Sequence, residues 1–202
     1  PSNAAAGTYT VTYQICANPA VVPAACDTAT ATIVVGAAAD MSVAITGLPA
    51  VAGPGAVLNG SVVCTNVATT TAATNVTCVA AAGTPAGATV VANGACTFSA
   101  GSSAASVLAG GTMSCPITVT MPGTAGGTDV APTSVGVSGT TSATNDGNAA
   151  NNTTTVAINV IDALNDSANT PFGTATTVNV LTNDQNGANP ATTTNVTITV
   201  VT

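Results

Sequence analysis

The sequence predicts an all-β chain built on a β-sandwich. Three observations carry that expectation. Apolar and polar residues alternate with a period of two in segment after segment, and no segment shows the period of an amphipathic helix. Thr, Val and Ile, which suit a pleated and half-buried surface, are abundant. Gly, Pro, Asn and Asp punctuate the alternating runs at short intervals, as in a sandwich.

Residues 1–36 hold two alternating runs. Thr8–Cys16 places Tyr9, Val11, Tyr13 and Ile15 on one face, and residues 28–35 form the second run. A loop with Pro19 and Pro23 joins them, so a hairpin is expected, with Cys16 and Cys26 at its loop-side ends. A Cys16–Cys26 disulfide closing that loop would contribute about 3 kcal/mol in the chain-entropy account. From Asp40, strands are expected at about 41–46, 57–66, 74–80, 88–92, 95–99, 112–121, 133–139 and 153–161. Asn93-Gly94 is a two-residue hairpin signal. Asn145-Asp146-Gly147 marks a loop, and Pro116 argues for a bulge or an edge within its strand. The last block carries expected strands at about 162–168, 175–181 and 194–202 and stops while still in a strand.

These blocks imply three parts. Residues 39–161 have the full run of strands for a complete sandwich. Residues 1–38 and 162–202 each have too few, because a lone hairpin is marginal in water. The C-terminal part is expected to be the first half of a domain and the N-terminal part the second half. The two halves would complete each other between neighbouring copies. Val178, Val180, Val196, Ile198 and Val200 form the apolar face of one half, and Tyr9, Val11, Tyr13 and Ile15 that of the other.

Composition narrows the function. The 202 residues include no Lys, Arg or His and seven acidic residues, for a net charge of −7 and a pI near 4.1. Without cations to neutralise phosphates, nucleic-acid binding is excluded. All seven acids are Asp. The usual general bases, Schiff-base chemistry and the commonest transition-metal ligand are therefore missing, and a Lys–Asn isopeptide crosslink is impossible. No enzyme is expected. Mean hydropathy is +0.52, but no apolar run reaches the roughly 18 residues of a membrane span. The β-branched alternation argues against disorder. The chain opens at Pro1 without Met or a signal-peptide pattern, and is expected to be processed or excised from a longer one.

Only four aromatics occur, Tyr9, Tyr13, Phe98 and Phe172, so the core is thin and covalent staples would help it. The even count of six cysteines, without His or CxxC spacing, favours disulfides in an oxidising, extracellular setting over a metal or redox site. Cys64, Cys78, Cys96 and Cys115 all alternate with core-type residues, and four cysteines allow three pairings.

Four further segments bear a resemblance. Asp40-Met-Ser-Val-Ala-Ile-Thr46, the run from Val67 to Thr77, Ser106-Val-Leu-Ala-Gly-Gly-Thr112 and Asn148-Ala-Ala-Asn-Asn-Thr-Thr154 resemble tandem repeat domains of giant bacterial cell-surface proteins. The ends, Gly7-Thr-Tyr-Thr-Val-Thr-Tyr-Gln-Ile-Cys16 and Val180-Leu-Thr-Asn-Asp184, are similar to bacterial Ig-like and cadherin-like repeats. The resemblance implies an Ig-like sandwich in a secreted adhesin, stalk, sheath or fibre, with no catalytic residues to carry over. In an Ig-like order, 57–66 and 112–121 are neighbours, while 74–80 and the 88–99 hairpin lie across or at the edge. Bridges crossing between sheets would then be Cys64–Cys78 and Cys96–Cys115, although the other pairings stay open.

Asp162, Asp166 and Asp184, with Asn165 and Asn183, are candidate Ca²⁺ ligands, set against the ordinary role of Asn and Asp in turns. No other metal or cofactor is expected. Sequons at Asn59, Asn75, Asn151, Asn152, Asn165 and Asn195 are those chance supplies in so Asn- and Thr-rich a chain. The expected role is a structural unit of an extracellular fibre, with copies of itself as partner. The alternative is an adhesin repeat that binds a glycan or a host protein. Recognition sites favour aromatics and Arg, in which this chain is poor.

Overall fold

A computed structural model describes residues 6–17, 25–123 and 132–200. All its regular structure is β, apart from one 3₁₀ turn at Ala149–Asn151. The first two strands, β1 (Gly7–Cys16) and β2 (Cys26–Val35), pair antiparallel over ten residues and form a sheet of their own. The expected loop between them, with Pro19 and Pro23, lies outside the described residues, as do Pro1 and Thr202.

Next come β3 (Met41–Thr46), β4 (Val51–Ala52), β5 (Val57–Asn66), β6 (Ala73–Thr74), β7 (Thr77–Ala82), β8 (Thr89–Ala92), β9 (Thr97–Phe98), β10 (Ser106–Val107), β11 (Thr112–Thr120), β12 (Ser134–Ser142), β13 (Thr153–Asp162), β14 (Gln185–Asn186) and β15 (Asn189–Pro190). One antiparallel sheet runs β3-β5-β11-β8, with β9 also on β11. A second runs β15-β14-β13-β12-β7, with β4 parallel to β13. β6 and β10 make a small separate pair.

Alternation puts one face of each main sheet into a common core, an arrangement consistent with a β-sandwich. Along β11, Met113, Cys115, Ile117 and Val119 are buried while the residues between them are half-buried. Val62 and Cys64 join them from β5. The other sheet contributes Val135, Val137, Ile158 and Val160. Within the second sheet, the chain just past β7 folds tightly against β12, with Gly83 N donating to Gly136 O and Gly136 N to Pro85 O. At Gly136 on β12, a Cβ would lie 2.5 Å from the carbonyl oxygen of Thr84 and 2.7 Å from its nitrogen. Backbone cannot rotate away as a side chain can. Gly136→Ala is therefore expected to destabilise the protein by about 2–3 kcal/mol, the upper part of the roughly 1–3 kcal/mol usual for overpacking. A urea denaturation midpoint equal to that of the wild type would contradict this contact.

Several expectations need correction. The Asn93-Gly94 signal does not make a hairpin. β8 and β9 both lie along β11, one after the other, at Ile117–Thr120 and at Met113–Ser114. The cause is Pro116. Asn93 N donates to Pro116 O at 2.9 Å, but Pro116 has no N–H to return, so the ladder breaks there. Gly94, at φ 118°, carries the neighbouring chain past the break.

The run expected at 74–80 is split into β6 and β7, with Asn75 at φ 52° between them. Cys96 is only half-buried, and Phe98, Tyr9 and Tyr13 are exposed rather than in the core. Nor do the strands expected at 162–168, 175–181 and 194–202 form within the described residues. Asp162 ends β13, and only the two-residue strands β14 and β15 follow it. Strand propensity alone does not make a strand. A ladder partner is required, and among the described residues none is paired with 175–181 or 194–200.

Candidate assembly surfaces

The β1–β2 ribbon is amphipathic by its register. Tyr9 lies opposite Ile33, Val11 opposite Ala31 and Tyr13 opposite Ala29, so these residues share one face. Thr8, Thr10, Thr12 and Gln14, opposite Val34, Thr32, Thr30 and Thr28, share the other. The apolar face is open to solvent: Tyr9 is 41%, Val11 54%, Tyr13 49% and Ile15 67% exposed. Cys16 and Cys26 are directly opposite each other, with Cα atoms 4.0 Å apart, and are joined by a disulfide at the loop end. Ala17 N donates to Ala25 O at 2.8 Å just beyond it. The bridge holds the ribbon together where packing does not.

The C-terminal part offers the second surface. β14 pairs with β13 at Ile161–Asp162, Gly187 N donates to Val160 O at 2.9 Å, and Ala191 is buried. This anchors residues 185–191 to the second sheet. The rest of the segment surrounds a cleft of about 340 Å³ with Leu164, Val180, Leu181, Val196 and Ile198 on its walls. Val178, Val180, Ile198 and Val200 are exposed, and Val196 is half-buried.

The three candidate Ca²⁺ ligands, Asp162, Asp166 and Asp184, all border this cleft. Asp162 is buried, and Asp184 Oδ1 accepts from Leu164 N at 2.7 Å, a bond that ties the segment after β13 to the one before β14. Asn183 Nδ2 donates to Asn165 O at 3.3 Å. Among the described residues, no group of three or more Asp, Glu, Cys or His side chains is placed to hold a metal ion.

The other four cysteines form Cys64–Cys78 and Cys96–Cys115. Cys64–Cys78 joins β5 to β7 and so crosses between the two sheets. Cys96–Cys115 does not cross. It ties β11 to the segment just before β9, within the first sheet and beside the Pro116 break. The expectation that both bridges span the sandwich is corrected accordingly.

Of the sequons, Asn59, Asn75, Asn165 and Asn195 are exposed, while Asn151 and Asn152 are half-buried. No helix among the described residues is long and apolar enough to cross a membrane.

One polar cluster escaped the sequence analysis. Asp40, at the foot of the segment linking ribbon to sandwich, meets the loop of residues 145–152. Asn151 Nδ2 donates to Asp40 Oδ1 at 2.8 Å, and Asn148 Nδ2 donates to the same oxygen at 3.4 Å. Asp146 Oδ1 accepts from Met41 N and Asn148 N. Asn145-Asp146-Gly147 was legible only as a turn, because its partner Asp40 is remote in the sequence. No known family model matches the chain, and no curated protein matches it.

Proposed function

We propose that this chain is a structural building block of an extracellular bacterial fibre, sheath or stalk. In this reading residues 39–161 are a complete Ig-like domain. Residues 162–202 of one copy and 1–38 of the next make a composite one, giving head-to-tail growth. The observation that carries the proposal is the β1–β2 ribbon, which among the described residues pairs only within itself and leaves its apolar face exposed. An apolar face with open strand edges is a template for another chain. The C-terminal segment of a neighbour has the complementary need, since its alternating runs lack a ladder. Such a contact is heterologous, and heterologous contacts give open filaments unless rotation closes a ring. The three disulfides suit an oxidising location.

The test is a Val11→Asp, Ile15→Asp double variant. Burying two unpaired carboxylates in the contact is expected to weaken association by about a thousandfold or more. Electron micrographs and sedimentation should show polymer for the wild type and single subunits for the variant. The melting of the sandwich should not change, because Val11 and Ile15 are outside its core. Equal polymer from both proteins would sink the proposal.

A second reading is supported by one observation, the exposure of Tyr9 and Tyr13 on the same face. Paired tyrosines suit an adhesin repeat binding a glycan or a host protein. On a glycan array a spacer should be silent, whereas an adhesin should give signals that Tyr9→Ala and Tyr13→Ala remove.

A further inference from the structure

We infer that the Cys16–Cys26 bridge, set in the wall of a cavity at the loop end of the ribbon, is a thiol–disulfide exchange site for small thiols without net negative charge. The three bridges of the chain stand in different surroundings. Cys64, Cys78 and Cys115 are buried in the sandwich and Cys96 is half-buried, whereas Cys16 and Cys26 are both exposed. The cavity beside them measures about 460 Å³, and its described lining is Ile15, Cys16, Ala17, Ala25, Cys26 and Asp27. The residues next to the bridge on the loop side, Ala17 and Ala25, are too small to shield it. Exchange is governed first by whether a thiolate can reach a sulfur, and here it can.

The chemistry balances with the thiol as the sole reductant. One thiolate attacks a sulfur of the bridge. The S–S bond breaks, a mixed disulfide forms, and the other cysteine leaves as a thiolate and takes up a proton. A second thiol then displaces the first from the mixed disulfide. Two thiols are thereby oxidised to one disulfide, and the same two electrons convert the bridge to two cysteine thiols.

Charge sets the class of thiol. Asp27 follows Cys26 directly, lines the cavity and is exposed, with its Oδ1 accepting from Thr28 N at 2.9 Å. No Lys, Arg or His exists in the chain to offset this carboxylate, and the net charge is −7. An anionic thiol is therefore repelled on approach, whereas a neutral or cationic one is not. Salt screens such repulsion, over about 8 Å at physiological ionic strength.

Reduction here has a structural consequence. Among the described residues, β1 and β2 form a sheet of their own, and a lone hairpin is marginal in water. Cleaving the bridge loosens the ribbon and with it the face of Tyr9, Val11 and Tyr13, while the sandwich keeps its own two bridges. The link from that opening to loss of polymer rests on the proposed function. The exchange itself does not.

The test treats the full, folded chain with dithiothreitol, followed by alkylation and mass spectrometry of peptic fragments. Cys16 and Cys26 should be labelled at least about a hundredfold faster than the other four cysteines, because each of the other bridges includes a buried cysteine and needs local unfolding. At low salt and equal thiolate concentration, the cationic thiol cysteamine should reduce the bridge at least about fivefold faster than anionic glutathione. That ratio should shrink in about 1 M salt, where screening acts within about 3 Å, and should shrink at low salt in Asp27→Asn. Equal labelling of all six cysteines, or protection of Cys16 and Cys26, would overturn the site. A ratio that neither salt nor Asp27→Asn moves would overturn the preference for uncharged and cationic thiols. Polymer that persists after complete reduction of Cys16–Cys26 would overturn the ribbon's role in assembly and leave the exchange site standing.

Discussion

Replacing Asn66 by Ala is expected to cost about 4 kcal/mol, more than most single substitutions. Asn66 ends β5 and is fully buried. Its Nδ2 donates to the carbonyls of Thr71, Val107 and Leu108 at 2.8, 3.0 and 3.3 Å. Its Oδ1 accepts from Asp40 N and Ala68 N at 3.3 and 3.2 Å. One side chain therefore serves five backbone groups in three separate segments. Alanine would remove all these bonds; Leu108 O keeps its bond from Gly111 N, and each group left without a partner costs about 1–3 kcal/mol where water cannot reach it. Urea unfolding under oxidising conditions measures the loss, and hydrogen exchange at Asp40 and Ala68 should accelerate. A loss under about 1 kcal/mol would mean that the loops rearrange to satisfy one another.

The second large effect is expected for Cys64→Ala with Cys78→Ala. The bridge closes a separation of 14 residues, worth about 3 kcal/mol through the unfolded chain. Both sulfurs are buried, so the substitution also removes packing between the sheets, for a total of about 4 kcal/mol. The Cys16→Ala, Cys26→Ala pair is the informative contrast. It should open the ribbon while leaving the unfolding of the sandwich unchanged, because β1 and β2 share no sheet with it. If both pairs of substitutions shift the same transition equally, the ribbon and the sandwich are one cooperative unit. Far-ultraviolet circular dichroism during urea unfolding separates the two cases.

The legible parts of the fold are those where local pattern and tertiary partner agree. β3, β5, β11 and β13 alternate cleanly, and each has a neighbour to complete its ladder. Cys16 and Cys26 were legible because a hairpin brings its own ends together. The misread parts are those where the deciding partner is elsewhere. Asn93-Gly94 carries the same local signal whether the chain reverses or steps past a proline, and only Pro116, on another strand, decides between them. Residues 175–181 and 194–200 have strand-like composition but no ladder partner among the described residues. Phe98 alternates like a core residue yet sits on a two-residue strand at the sheet's border, where one face remains wet. In the candidate site, the apolar face of β1 was visible from periodicity, whereas a shared face for Val178, Val180, Val196, Ile198 and Val200 presupposed strands that do not form among the described residues. The Asp40–Asp146 cluster was not visible, because it depends on β3 and the loop before β13 meeting at one end of the sandwich.

The interruption at Pro116 also bears on how this sheet meets the outside. The border beyond β11 offers an incoming strand four consecutive residues from β8, then a gap, then two from β9. A stranger's backbone could not stay in step across that gap. Edge-to-edge pairing with another chain, a route by which β-rich chains aggregate, is thus obstructed along this flank. The missing proton on one nitrogen thus blunts an edge that no Lys or Arg is available to guard.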